Sequence, residues 1–120
     1  MALRTFVVVA VLGFGAQINA TEFVEIFETS LNGSCTPAQV AGLSDEVDEL
    51  LNQFGYSSEV LAVQHGMPQT SVLWIGRSPS SEAWGKAHDF WRTDPRAASV
   101  AEKIAACGET VSSSTHVPAG

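Results

Sequence analysis

Apolar and polar positions along the chain divide it into short blocks of two periods, one near two residues and one near 3.6. Thr21 to Thr29 is rich in aromatic and β-branched residues and reads as a strand. Asn32-Gly33-Ser34 is a turn cluster. Thr36-Pro37-Ala-Gln39 then opens a helix, with Thr as N-cap, Pro in the first turn and Gln placed to close a capping box. Val40, Leu43, Val47, Leu50, Leu51 and Phe54 follow at helical spacing, with Asp45, Glu46, Asp48 and Glu49 on the other side and Gly55 as the stop.

Two strands come next, Ser58 to His65 and Thr70 to Gly76, joined by the short reversal Gly66-Met-Pro-Gln69. Ser78-Pro79 repeats the cap-then-Pro signature and starts a second helix. That helix should break at Asp94-Pro95, because the residue before proline is pushed out of the helical region. Asp94 can cap a further segment whose apolar side is Ala97, Val100, Ala101 and Ile104. Gly108 ends it, and Thr110 to Val117 closes the chain as a Ser/Thr-rich strand. The order β-α-β-β-α-β predicts an α+β, ferredoxin-like domain: a four-stranded antiparallel sheet with both helices on one face.

The first and third strands are apolar on both sides, which a sheet with one wet face would not be. A homodimer through the sheet face away from the helices is the simplest way to cover the second side. By strand parity the aliphatic sets Val24/Ile26 and Leu73/Ile75 are expected to face the helices. That assignment turns Phe23, Glu25, Phe27, Val72 and Trp74 toward the space between the two copies.

The chain has 120 residues, room for one domain. Six Lys+Arg against thirteen Asp+Glu give a formal net charge of −7, which argues against nucleic-acid binding. The first twenty residues have their own layout: basic Arg4, the apolar run Phe6 to Phe14, then Gln17-Ile-Asn-Ala20. This predicts a secretory signal cleaved after Ala20, an exported (periplasmic or secreted) protein and a single folded domain over residues 21–120. The apolar run is well short of the ~20 residues that span a bilayer, so no stable membrane insertion is expected after cleavage.

The pattern from Phe23 to Val117 resembles the dimeric α/β-barrel superfamily, which includes antibiotic-biosynthesis-type monooxygenases and stress-responsive barrel proteins. The local match runs through Trp74-Ile-Gly-Arg-Ser-Pro-Ser-Ser-Glu-Ala-Trp84, His88-Asp-Phe-Trp91 and Thr93-Asp-Pro95. The resemblance implies paired βαββαβ units that enclose a cavity. Activities in the superfamily range from cofactor-free oxygenation to haem degradation, and some members have none known. Haem-degrading members use an Asn on the first strand, a Trp on the third and a His on the second helix. Trp74 and His88 match two of these, but the first strand offers Glu25 and Glu28 and no Asn.

In this fold the start of the first helix and the end of the second lie on the same side. Cys35 and Cys107 are therefore expected to form a disulfide, with export supplying the oxidising compartment. A carboxylate enclosed among aromatic rings, as Glu25 would be, suits a general base; the other reading of Glu25 is an edge or rim carboxylate that reaches solvent. Trp84 and His88 are four apart on the second helix and can touch, His88 at the border of the apolar arc. It reads either as an acid/base group or as a half-buried histidine packed on tryptophan. Glu59, His65 and His116 are lesser candidates for the cavity. The three His have no metal-ligand spacing, so no metal and no cofactor is assigned. The functional expectation is an exported barrel that binds an apolar or aromatic small molecule, with Phe23, Phe27, Val72, Trp74 and Trp84 as contacts. Cofactor-independent monooxygenase-like activity is the chemistry the resemblance adds. A non-catalytic dimeric stress or scaffold protein is the alternative, and haem binding or degradation the third.

Overall fold

The computed structural model describes residues 22–63, 65 and 70–119. The expected signal segment and the Gly66-to-Gln69 reversal lie outside them. Strand β1 (Phe23–Leu31) is followed by helix α1 (Pro37–Leu51), strands β2 (Ser57–Ala62) and β3 (Ser71–Ser78), helices α2 (Ser81–Thr93) and α3 (Pro95–Cys107), and strand β4 (Gly108–His116). The four strands form one antiparallel sheet in the order β2-β3-β1-β4. This is the βαββαβ arrangement expected, with the second helix broken in two.

The local signals account for the element ends. Thr36 accepts from Gln39 N while the Gln39 side chain accepts from Thr36 N, a closed capping box worth about 1 kcal/mol. Gly55, at φ 81°, closes the short 3-10 turn after α1 in the left-handed region that glycine tolerates. The break at Asp94-Pro95 is present, and Asp94 caps α3 by accepting from Arg96 N. The start of α2 differs from expectation. Ser80, not Ser78, is the N-cap, its hydroxyl accepting from Ala83 N. Pro79 lies ahead of the helix and packs over Gly55.

The core lies between the helices and the sheet, where Val40, Val47 and Leu51 of α1 meet Val72 and Trp74 of β3, Ala87 of α2 and Val100 of α3. Asp48 ties α1 to β2, accepting from the backbone N and the hydroxyl of Ser58. Cys35 and Cys107 form the expected disulfide, which fastens the loop before α1 to the end of α3. Asn32 reinforces that junction by donating to the carbonyls of Ala106 and Cys107. Among the described residues no helix is long and apolar enough to cross a membrane.

The expected strand parity is reversed. Phe27 stands opposite Trp74, Thr29 opposite Val72 and Glu25 opposite Gly76. Phe23 stacks on Trp84 of α2 at 4.9 Å. The set Phe23, Glu25, Phe27, Val72 and Trp74 therefore faces the helices, and Ile26, Leu73 and Ile75 face away from them. Aliphatic content was the wrong guide, because the layer under the helices is lined by aromatic rings around open space.

Candidate functional site

That open space is a cavity of about 630 Å³ between the sheet and the helices. Glu25 and Phe27 of β1 and Trp74 of β3 form its floor, Val47 and Leu51 of α1 one wall, and Trp84, Ala87, His88 and Trp91 of α2 another. Residues of α3 and the start of β4 complete it, with Ala105, Glu109 and Thr110 exposed at the mouth. All three tryptophans of the chain and its single tyrosine, Tyr56, line this one space.

Glu25 is the buried polar group of the floor, 8% exposed. Its two carboxylate oxygens are held by different donors: Trp84 Nε1 donates to Oε1 at 2.8 Å, and the Tyr56 hydroxyl donates to Oε2 at 3.1 Å. Trp74 Nε1 in turn donates to the Tyr56 oxygen at 3.3 Å. The chain Trp74–Tyr56–Glu25–Trp84 thus joins β3, the segment before β2, β1 and α2 through neutral donors. Burial, and then the negative charge of Glu25, push the Tyr56 phenol far above its usual range, so it stays protonated and keeps its donor role.

The sheet makes room for this chain at one residue. Gly76 is the cross-strand partner of Glu25, and a Cβ there would lie 2.2 Å from the Tyr56 oxygen. The phenol passes through the place a side chain would take.

Sequence reasoning assigned Glu25, Phe27 and Trp74 to a space between two copies and Trp84 and His88 to the second helix; the structure brings all five to one cavity, on the helix side of the sheet. His88 is exposed and lies against Trp84 with ring centroids 4.8 Å apart. Phe23 touches the site through Trp84, and Val72, fully buried, packs beneath it as core. Glu59 lies on the other face, paired with Arg77. His116 hydrogen-bonds Ser114 on the outer strand, and His65 is exposed. Tyr56 was missed. Its signal was Gly76, read from the sequence as the end of the third strand; β3 runs on through it to Ser78, and a glycine inside a strand marks a close approach by another group. The cavity lining carries, among the described residues, no Lys or Arg to pair with haem propionates, and one imidazole, His88. Among the described residues no cluster of His, Cys, Asp or Glu is arranged to hold a metal ion.

No family model matches the chain, and no curated protein matches it. Solved structures do. A cofactor-independent oxygenase from Streptomyces nogalater superposes with a TM-score of 0.63 at 13% identity, over 84% of this chain and 96% of that one. A NIPSNAP family protein of unknown function from Agrobacterium tumefaciens gives 0.59 at 21% identity, over 82% and 89%. A putative antibiotic biosynthesis monooxygenase from Chloroflexus aurantiacus gives 0.57 at 11% identity, over 83% and 95%. At these identities the likeness is one of fold: the chain shares the ferredoxin-like βαββαβ fold of these structures.

Proposed function

We propose that this protein binds an apolar or aromatic small molecule in the cavity between sheet and helices, with Glu25 as the polar group that orients the ligand and accepts a proton from it. The observation that carries this reading is a buried carboxylate, fixed by two neutral donors, at the floor of a roomy aromatic cavity. A cavity filled by side chains would have favoured the scaffold alternative.

The chemistry this supports is cofactor-independent monooxygenation; the Streptomyces protein with which the chain shares its fold is a cofactor-independent oxygenase. Glu25 removes a proton from a CH₂ group activated by neighbouring aromatic rings or a carbonyl. The carbanion passes electrons to O₂, and the resulting hydroperoxide loses water to leave a carbonyl. The sum is CH₂ + O₂ → C=O + H₂O, with O₂ as oxidant and the substrate as the source of electrons. The protein's share is to orient the ring, accept the proton and exclude bulk water.

The partner in this reading is a second copy, docked through Ile26, Leu73, Ile75 and the exposed Leu61 on the face away from the helices. Export after cleavage at Ala20 is consistent with the Cys35–Cys107 bond.

Calorimetric titration with 1-naphthol tests the binding claim. Saturable binding is expected, lost in Ala101→Trp, which fills the cavity from α3. Oxygen uptake with a bound ring ketone bearing an activated CH₂ tests the chemistry; Glu25→Gln should abolish it. Uptake that survives Glu25→Gln removes Glu25 from the reaction.

A further inference from the structure

The charges around the cavity do not balance. Glu25 is held only by a phenol and an indole, both neutral. Among the described residues the lining contains a second carboxylate, Glu109, at the mouth and no Lys or Arg. All five described Lys and Arg side chains have carboxylate partners elsewhere: Arg77 with Glu22 and Glu59, Lys86 with Glu82, Arg92 with Asp89, Arg96 with Asp94 and Lys103 with Glu46. Among the described residues of the lining, His88 at the mouth is the one group able to carry positive charge. A buried carboxylate without a cation costs several kcal/mol even after relaxation. Two hydrogen bonds also leave Glu25 with about two of its roughly four acceptor positions unused.

The walls around that carboxylate have one further property in common. Phe27, Tyr56, Trp74, Trp84 and Trp91 all line the cavity, and an aromatic face attracts a cation that comes within about 6 Å of it. We propose that the ligand is a cation: an organic ammonium with an aromatic or alkyl body, its charged nitrogen set against Glu25 and the surrounding rings. The ammonium donates to the free positions of Glu25, and the body fills the apolar remainder. A neutral ligand of the same shape uses the walls but leaves the carboxylate unpaired. An anionic one meets two carboxylates and, among the described residues, no Lys or Arg. The net charge of −7 draws cations toward the protein as a whole. This inference rests on the ligand-binding half of the function proposed above and is independent of the oxygenation step.

The test uses three probes with the same phenylethyl body at neutral pH, read by quenching of tryptophan fluorescence: 2-phenylethylammonium, 2-phenylethanol and 3-phenylpropanoate. The expected order is cation, then alcohol, then anion, with the cation tighter than the alcohol by about tenfold or more. In Glu25→Gln the gap between cation and alcohol should shrink and the anion should gain. An alcohol that binds as tightly as the ammonium overturns the inference and leaves the cavity a ligand site. A gap that persists in full in Glu25→Gln also overturns it. If none of the three binds, the inference and the binding reading fall together. The order in the wild-type chain decides alone if Glu25→Gln does not fold.

Discussion

The Tyr56 hydroxyl occupies the position that a side chain on Gly76 would claim, 2.2 Å from where the Cβ would be. One glycine on β3 thus admits the phenol that holds Glu25, and a residue with no side chain becomes part of the site. Gly76→Ala should push the ring aside and break both the Tyr56–Glu25 and Trp74–Tyr56 hydrogen bonds. A loss of about 1–3 kcal/mol is expected in denaturant unfolding. In Gly76→Ala the indole N–H signal of Trp74 should also move, because its acceptor has left.

Tyr56→Phe isolates the same bond without steric strain. It leaves one carboxylate oxygen of Glu25 without its donor and should cost about 1–3 kcal/mol. Its pH behaviour carries a second expectation. The folded phenol holds its proton well above the usual 10.0, whereas the unfolded one releases it near that value. Above that pH the folded state binds more protons than the unfolded, so stability is intact below about pH 10 and falls as pH rises beyond it. Wild type should show that decline, with phenolate absorbance appearing together with unfolding. Tyr56→Phe should lack this contribution.

The disulfide joins residues 72 apart in sequence. Loop-closure entropy gives it about 4 kcal/mol of stabilisation, in a model-dependent treatment. Because Cys107 directly precedes Gly108 at the cavity mouth, the double change Cys35→Ser/Cys107→Ser should lower the unfolding midpoint and loosen the α3–β4 corner. Hydrogen exchange at Ile104 to Glu109 measures the second effect. Unchanged protection there would mean that Asn32 holds the corner without the bridge.

The reversed parity changes how dimerisation is tested. Leu73→Asp and Ile75→Asp place charge on the face away from the helices and should yield monomers in sedimentation. Val72→Asp buries charge in the core and should unfold the chain instead. Asp45→Lys, on the exposed side of α1, should leave the dimer intact.

Turn and cap chemistry made most of the fold legible. Thr36, Pro37 and Gln39 fix one helix start, and Asp94-Pro95 fixes the break between α2 and α3, because each acts through local sterics and hydrogen bonds. Strand parity is not local. Ile26, Leu73 and Ile75 look like core residues, and Phe23, Phe27 and Trp74 like a second surface, until the helices are seen to enclose a cavity instead of a filled interior. The site was legible as a set of residue types, since Glu25, Trp74, Trp84 and His88 were all singled out. Tyr56 was not, because its role depends on the register that sets Gly76 beside Glu25.

The central claim is that ligands enter the space between sheet and helices at Glu25. Heteronuclear NMR of the chain titrated with 1-naphthol reads this directly through the indole N–H groups. The account predicts that the Trp74 and Trp84 indole signals shift together and saturate, while the backbone amides of Leu61 and Leu73 stay in place. Shifts confined to those outer-face amides, with both indoles unmoved, would contradict it.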